Sequence, residues 1–573
     1  MFTSRTVLKL ISIFLLSLVV TNCGGSSTTT ANSNSQSANP SSGNTDTPAT
    51  PNGQGSENAS IYDIAYKGLN FYHKNMPSSQ YTLTSLSDAN FNALSKTNKR
   101  QVADKLLSTL FFGYPLKELQ EKINSGTFIS TVFNGLKEDK TDKVWLEEHI
   151  LDDTIYERNT RNEQVATDIL SRFYAMKDLD SYFIHNWSAY ILTQTIMFSP
   201  AYELGSTHTP NIARVYNRLV NMLKEESGMR YSTYVHMMSE DNWRRFRSPE
   251  DNGREMLEIF TLDMDDSHVP LAGQALKNWK LDKESDTLVV SLNQNREPIN
   301  LFNTSIKNGD DFYREMAKSD SFTFGVTKRL VDFFFSTKDE AKKIQITNTI
   351  VTSKPETWQD ILLQIVFSEA YLLHSTNPKS AEELFFSTAK KINYKLRQGS
   401  MRQFKYKLEK MRQASMKYKL GKLNRVPLDT LSFANYHKFI RTSLLKVRAN
   451  PKQAIATGNN YYNMGWDASF IANEVFTFNT EDVITSLDSF VQYLFHTIVS
   501  RDATPKELSL FKEHMIKEDA GNKIFIGTFD MFITNDDNEK QKEDREVRKT
   551  NIAMLVLDYI SRLSETYTHK EVK

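Results

Sequence analysis

The 573-residue sequence predicts a mainly α protein, a multi-helical array with duplicated helical units and one small β-hairpin insertion. Three observations predict it. Apolar residues recur at three- and four-residue spacing over long stretches, as amphipathic helices require. Glycine (21) and proline (15), the residues that punctuate helices, are few for this length. A single stretch, Asp286 to Phe302, is β-branched and partly alternating in the manner of strands.

The N-terminal element lies outside that fold. Arg5 and Lys9 come first, then the apolar run Leu10 to Val20, then Val20-Thr21-Asn22-Cys23-Gly24. A basic start followed by about a dozen apolar residues has the shape of an export signal, and it is shorter than the roughly 20 residues of a membrane span. A small-residue turn ending in the only cysteine, Cys23, resembles a bacterial lipobox, in which the thiol takes a diacylglyceryl group and becomes the new N-terminus. Asn22 departs from the usual small residue before that cysteine. An ordinary signal peptide or an uncleaved anchor is the alternative. Residues 1–22 are therefore expected to be a signal and 23–60 a lipid-anchored tether. Residues 24–60 carry two charges, Asp46 and Glu57, and no aromatic or large aliphatic side chain. Such a segment buries too little apolar surface to order itself, and as a coil it spans roughly 30–35 Å.

From Ile61 the composition becomes that of a folded body, divided here into 61–225, 226–390 and 391–573. The body has no cysteine, so disulfides and thiolate metal sites are excluded. With 70 basic and 69 acidic residues, the whole chain points to neither nucleic acid nor an acidic partner. No cofactor or metal pattern is present. Helical faces begin at Val102, Leu106, Thr109 and Leu110, recur at Leu330, Val331, Phe334 and Phe335, and again at Ile484, Leu487, Val491 and Leu494. Between the first two, Asp286 to Leu292, the polar turn Asn293 to Arg296, and Pro298 to Phe302 predict a hairpin near 286–303. The chain also echoes itself. Ile196-Met-Phe-Ser-Pro-Ala-Tyr202 recurs as Ile365-Val-Phe-Ser-Glu-Ala-Tyr371 and, more weakly, at Leu563 to Tyr567. Leu106 to Leu110 with Lys117-Glu-Leu119 is echoed by Tyr493 to Ile498 with Lys506-Glu-Leu508. In the second copy Thr504-Pro505-Lys506-Glu507 reads as a capped helix start. The spacing lacks a fixed period, which excludes a regular solenoid.

The most distinctive string is Pro249-Glu-Asp-Asn-Gly-Arg-Glu-Met-Leu-Glu-Ile-Phe-Thr-Leu262, followed downstream by Trp279. It resembles the signature of domain-of-unknown-function family 1800, a group of exported bacterial helical proteins. The resembling residues are Arg254, Glu255, Glu258, Phe260, Thr261 and Trp279, with weaker segments at Trp358 to Tyr371 and Lys379-Ser-Ala-Glu-Glu383. The chain departs from that pattern at Asp263, at His268-Val269, at Lys277-Asn278, and in Asn293 to Pro298, where a His-Asp-x-Gly-x-Lys element is missing. The resemblance implies an exported helical fold and no particular reaction. Arg254 and Glu258, at i and i+4, are expected to pair. That pair reads either as a structural ion pair fixing helix register or, with Glu255 and His268, as acid–base machinery. The first reading is preferred, because no nucleophile or histidine stands nearby at a recognisable spacing.

Other candidates are weaker. Glu148-His149-x-x-Asp152-Asp153 lacks a third metal ligand and reads as solvated charge. His185-Asn186-Trp187 reads as core, and His208, His236 and His268 flank the signature region. Residues 390–425 hold thirteen Lys or Arg against one acid, Glu409, around an apolar stripe at Phe404, Leu408, Met411 and Tyr418. Lys405, Arg412 and Lys419 are the expected contacts to anionic lipid, and a solvated basic helix face is the alternative. Together these features predict a lipid-anchored envelope protein, on the outer rather than the inner membrane, that binds an envelope protein or polymer without catalysis. The alternative is a hydrolase-like enzyme using carboxylates and histidine near Arg254–Glu258.

Overall fold

The computed structural model describes residues 79–140, 176–197, 211–391 (apart from 247, 283–287 and 292), 483–525 and 538–572, with Met76 and Phe173 besides. Cys23, the 23–60 tether, Glu148 to Asp153, His208 and the basic residues Lys405, Arg412 and Lys419 lie outside the described residues. Of the described residues 63% are helical and every sheet has two short strands, so the class is mainly α.

The first helices are α1 (Asp88–Ala93), α2 (Lys96–Thr109), α3 (Leu116–Asn124), α4 (Phe128–Gly135), α5 (Ser181–Thr195) and α6 (Asn211–Lys224). The central group is α7 (Met229–Met237), α8 (Glu240–Arg245), α9 (Pro249–Thr261), α10 (His268–Leu276), strands β1 (Lys280–Leu281), β2 (Leu288–Val289), β3 (Ile299–Leu301) and β4 (Thr304–Ile306), then α11 (Gly309–Lys318) and α12 (Asp320–Phe334). Next come α13 (Glu340–Thr352), α14 (Trp358–Val366), α15 (Glu369–Leu372), β5 (Asn377–Pro378) and α16 (Ala381–Lys391). The last elements are α17 (Val483–Ile498), α18 (Pro505–Met515), β6 (Ile516–Asp519), β7 (Asn522–Phe525), α19 (Glu539–Ile560) and β8 (Thr568–His569).

Local sequence explains most helix starts. Ser95, Ser248, Asn308, Ser319 and Asp339 each accept a backbone N–H two or three residues into the helix they precede. Thr357 and Thr504 form reciprocal capping boxes with Asp360 and Glu507, and Pro505 fills the first helical position as the sequence suggested. The expected apolar faces are buried: Val102, Leu106 and Leu110 on α2, Leu330, Val331 and Phe334 on α12, and Leu487, Val491 and Leu494 on α17. The first and last of these helices begin the echoed units. Each is followed by a turn containing a left-handed residue, Phe111 (φ 55°) or Ser500 (φ 57°), and then by a second helix, α3 or α18.

The predicted hairpin near 286–303 is corrected in its pairing. β2 pairs backwards with β1, Leu281 opposite Leu288, and β3 pairs forwards with β4, Leu301 opposite Thr304. The region therefore contains two minimal hairpins, and the strands expected to face each other belong to different sheets. Strands of two or three residues carry too short an alternation for sequence to fix their partners. Contacts also cross the sequence boundaries at 225 and 390. Ser85 bridges Ser368, β5 pairs with β8 (Asn377 opposite His569), and α16 packs on both α2 and α17.

Candidate functional site

The signature helix α9 is built for packing. Ser248 caps it, Pro249 opens it and Leu262 ends it in the left-handed region (φ 56°). Its inner face, Asn252, Gly253, Met256, Leu257, Phe260 and Thr261, is buried. A Cβ on Gly253 would lie 2.7 Å from the Ala272 Cβ of α10, so the glycine sets how closely these two helices approach. Trp279 stacks on Trp243 at 6.1 Å, meets Tyr313 edge-on at 5.4 Å and donates its indole N–H to the Ser291 carbonyl at 2.9 Å. The Tyr313 hydroxyl donates to Asn252 at 2.7 Å, which ties α11 back to α9. Phe260 stacks on Phe322, and the Thr261 hydroxyl donates to the Leu257 carbonyl within its own helix.

The expected Arg254–Glu258 pair is not formed. Arg254 instead faces Glu250 at 3.9 Å, with side-chain exposures of 47% and 65%. A glutamate four residues N-terminal to its cation is the favoured orientation on a helix, and it leaves this pair in water. The C-terminal end of α9 is fixed by Arg329 of α12, which donates to the Ile259 carbonyl at 2.6 Å and the Glu258 carbonyl at 2.5 Å. Arg254→Ala should therefore change the free energy of unfolding by less than about 1 kcal/mol in a urea titration. A loss of several kcal/mol would mean that the arginine is a buried structural partner after all.

The acid–base candidates that lie among the described residues have different neighbours. Glu255 and Glu258 are half-buried on α9, and both act on the Arg329 guanidinium. Nδ1 of His268, at the start of α10, lies 2.6 Å from Asp263. His236 is buried inside α7, and burial, reinforced by Arg218, pushes its pKa down to about 3, so the ring is neutral at ordinary pH. In the aromatic run, Trp187 is buried and donates to the Thr109 carbonyl at 3.0 Å, as a core residue does.

Two polar sites were not foreseen. The first is a groove of about 710 Å³ between α3, α17 and α18. Thr485, Asp488, Ser489, Gln492, Tyr493 and His496 supply one stripe of α17; Leu116, Lys117 and Gln120 face them from α3, and Leu508 from α18. Their three- and four-residue spacing was present in the sequence beside the apolar stripe of the same helix, and it is the signal that could have found the groove. Gln492 pins the following loop by exchanging two hydrogen bonds with the backbone of Ala503, at 2.8 and 3.2 Å. His496 is held by Asp502, which Arg100 also engages at 3.0 Å. Burial pushes the His496 pKa down, with Asp502 opposing it.

The second is a cluster of buried charge where α2, β5 and α16 meet. Asp104 of α2 bonds Lys391 of α16 and lies 3.7 Å from the ammonium of Lys379, which precedes α16. Next to it on α2, Lys105 donates to the Ser375 carbonyl and hydroxyl at 2.6 and 3.0 Å and sits over the Tyr371 ring. All four charged residues are at most 5% exposed. Burial alone would push the Asp104 carboxyl up, but Lys391 and Lys379 outweigh it and hold the group below the usual carboxylate range. Burial pushes Lys379 down to about 8, Asp104 opposing and Lys391 adding to the shift. The turn Lys379 to Glu383, a minor strand of the family resemblance, is thus a polar hub: Glu383 accepts from the Ser380 N–H and Glu382 accepts from Tyr190. No family model, curated protein or solved structure matches this chain.

Proposed function

We propose that this chain is a lipid-anchored envelope protein that works as a non-catalytic binding module, with the groove between α3, α17 and α18 as its binding surface. The observation that carries this reading is the groove itself. Its volume of about 710 Å³ lies within the range of small-molecule sites, and its walls combine an aromatic ring, amides, hydroxyls and three ionisable groups on helices. Glu255, Glu258 and His268 line neither this groove nor the small cavity beside Lys379, so the binding reading does not depend on them. The string from Arg254 to Thr261 supports kinship with family 1800 and an exported address. The turn ending in Cys23 supports lipidation, with the outer membrane favoured.

Filling the groove tests the binding role. Ser489 is exposed on its wall. Ser489→Trp is expected to abolish co-sedimentation with purified insoluble cell-wall polymer while leaving the thermal midpoint unchanged. Polymer binding equal to wild type would remove the groove from the proposal. For the anchor, Cys23→Ala should move the exported protein from the detergent phase to the aqueous phase. Any residual attachment of that variant to anionic vesicles should disappear with salt and with charge reversal at Lys405, Arg412 and Lys419. Unchanged detergent partitioning would end the lipoprotein reading.

A further inference from the structure

A cavity of about 30 Å³ adjoins the buried charge cluster. α2 supplies Gln101, Asp104 and Lys105 to its wall, and Lys379 comes from the start of α16. The loop after α17 adds Ser500, and residues 565–570, around β8, add Glu565, His569 and Lys570. Its size admits one occupant slightly larger than a water molecule, since one water needs about 10–15 Å³ on this measure.

Two independent observations describe what it would hold. The first is its charge. Three lysines and two carboxylates line it, and each carboxylate is also held by a cation set back from the wall. Asp104 is bonded by Lys391, and Glu565 lies 3.6 Å from Arg501 as well as 3.1 Å from Lys570. Arg501 is itself paired with Glu507, so the excess of charge comes from the wall, three ammonium groups against two carboxylates, and the low-dielectric walls intensify it. The second is Ser500. Ser500 is 2% exposed, its hydroxyl has no hydrogen-bond partner among the described residues, and its backbone is held in the left-handed region at φ 57°. A buried hydroxyl without a partner is costly, and so is a left-handed backbone at a residue with a Cβ. A buried, unpartnered hydroxyl facing a cationic cavity points to an occupant that accepts a hydrogen bond.

We propose that this cavity is a binding site for a small monovalent anion of chloride size, held by the Ser500 hydroxyl and the ammonium groups of Lys105 and Lys379. An occupant there ties together α2, the loop after α17 and the C-terminal strand, three parts of the chain that are distant in sequence. Lys570, 52% exposed at the rim, leaves a path for exchange with solvent. The site is independent of the groove proposed for binding, and it stands or falls separately.

The test uses chloride and bromide on the full chain. Crystals grown in bromide should give one anomalous peak in the cavity, within hydrogen-bond reach of Ser500 Oγ. The thermal midpoint should be about 2 °C higher in sodium chloride than in sodium gluconate at equal ionic strength, as expected for an anion present at several times its dissociation constant. Ser500→Gly removes the hydroxyl and also relieves the left-handed backbone. This variant should melt at or above the wild-type midpoint in gluconate and lose the chloride increment. An empty anomalous map with only an ordered water at the site would overturn the proposal. So would equal midpoints in the two salts, or a chloride increment that survives in Ser500→Gly.

Discussion

Asp104→Ala is expected to destabilise the protein by about 3–5 kcal/mol, the cost of leaving buried charge without its counter-charge. Asp104 sits between two buried ammonium groups, and its removal leaves Lys379 and Lys391 facing each other. The converse change should be far milder. Lys379→Met keeps the Asp104–Lys391 bond and removes a cation that burial already disfavours, so a change of under about 1.5 kcal/mol is expected. The pH dependence has a definite sign for each group. The Asp104 pKa is lowered by folding, so its contribution is present above the unfolded value of about 3.9 and is lost as pH falls through the folded value. The Lys379 pKa is lowered from 10.5 to about 8, so its charged form opposes folding below about 8, and that opposition fades as pH rises towards 10.5. Chemical denaturation of wild type and both variants across this range checks the asymmetry. Equal losses for the two variants would show that the cluster is not organised around Asp104.

Gly325→Val should cost about 3 kcal/mol or more. A Cβ at this position of α12 would run into the Phe260 carbonyl oxygen and lie 2.9 Å from Thr261 Cα, both main-chain atoms at the end of α9. Overpacking against a flexible side chain is relieved by a rotamer change. Against backbone the helices have to separate, and the upper end of the usual 1–3 kcal/mol range applies. Separation would also pull Arg329 away from the carbonyls of Glu258 and Ile259, only a helical turn along. Urea midpoints with unchanged slope measure the effect. A loss below about 0.5 kcal/mol would mean that α9 and α12 do not touch there.

These two sites differ in how far the sequence announced them. The helical class was written in three- and four-residue spacing, and the faces at Val102, Leu330 and Leu487 are buried as that spacing requires. Helix starts were legible wherever a cap and its partner lie three residues apart, as at Thr504 and Glu507. The sheet pairings were not, because β1 to β4 are shorter than the period needed to define a register. The partner of Arg254 was mistaken because an i+4 rule offers one candidate on each side, and the favoured one, Glu250, lay upstream. Asp104 and Lys105 interrupt an apolar helix face, which was a visible irregularity. Their partners Lys379, Lys391 and Ser375 lie about 270 or more residues away, and no local pattern connects them. Gly325 and Gly253 look alike in sequence to any helical glycine, and only the neighbouring backbone gives them a role.

The pairing of β5 with residues near the C-terminus also has a consequence for biosynthesis. Thr376 receives the N–H of Glu571 across 195 residues of chain, and Lys379 N–H waits for the Tyr567 carbonyl. At the usual pace of translation, those acceptors and donors emerge about 10–40 s before their partners exist. During that interval the nascent chain carries an open strand edge and three unburied lysines where a closed core will later stand. Folding of this region therefore waits for residues 564–571, and a ribosome-bound chain stalled before residue 564 should remain protease-sensitive around β5, however complete the helices upstream of it have become.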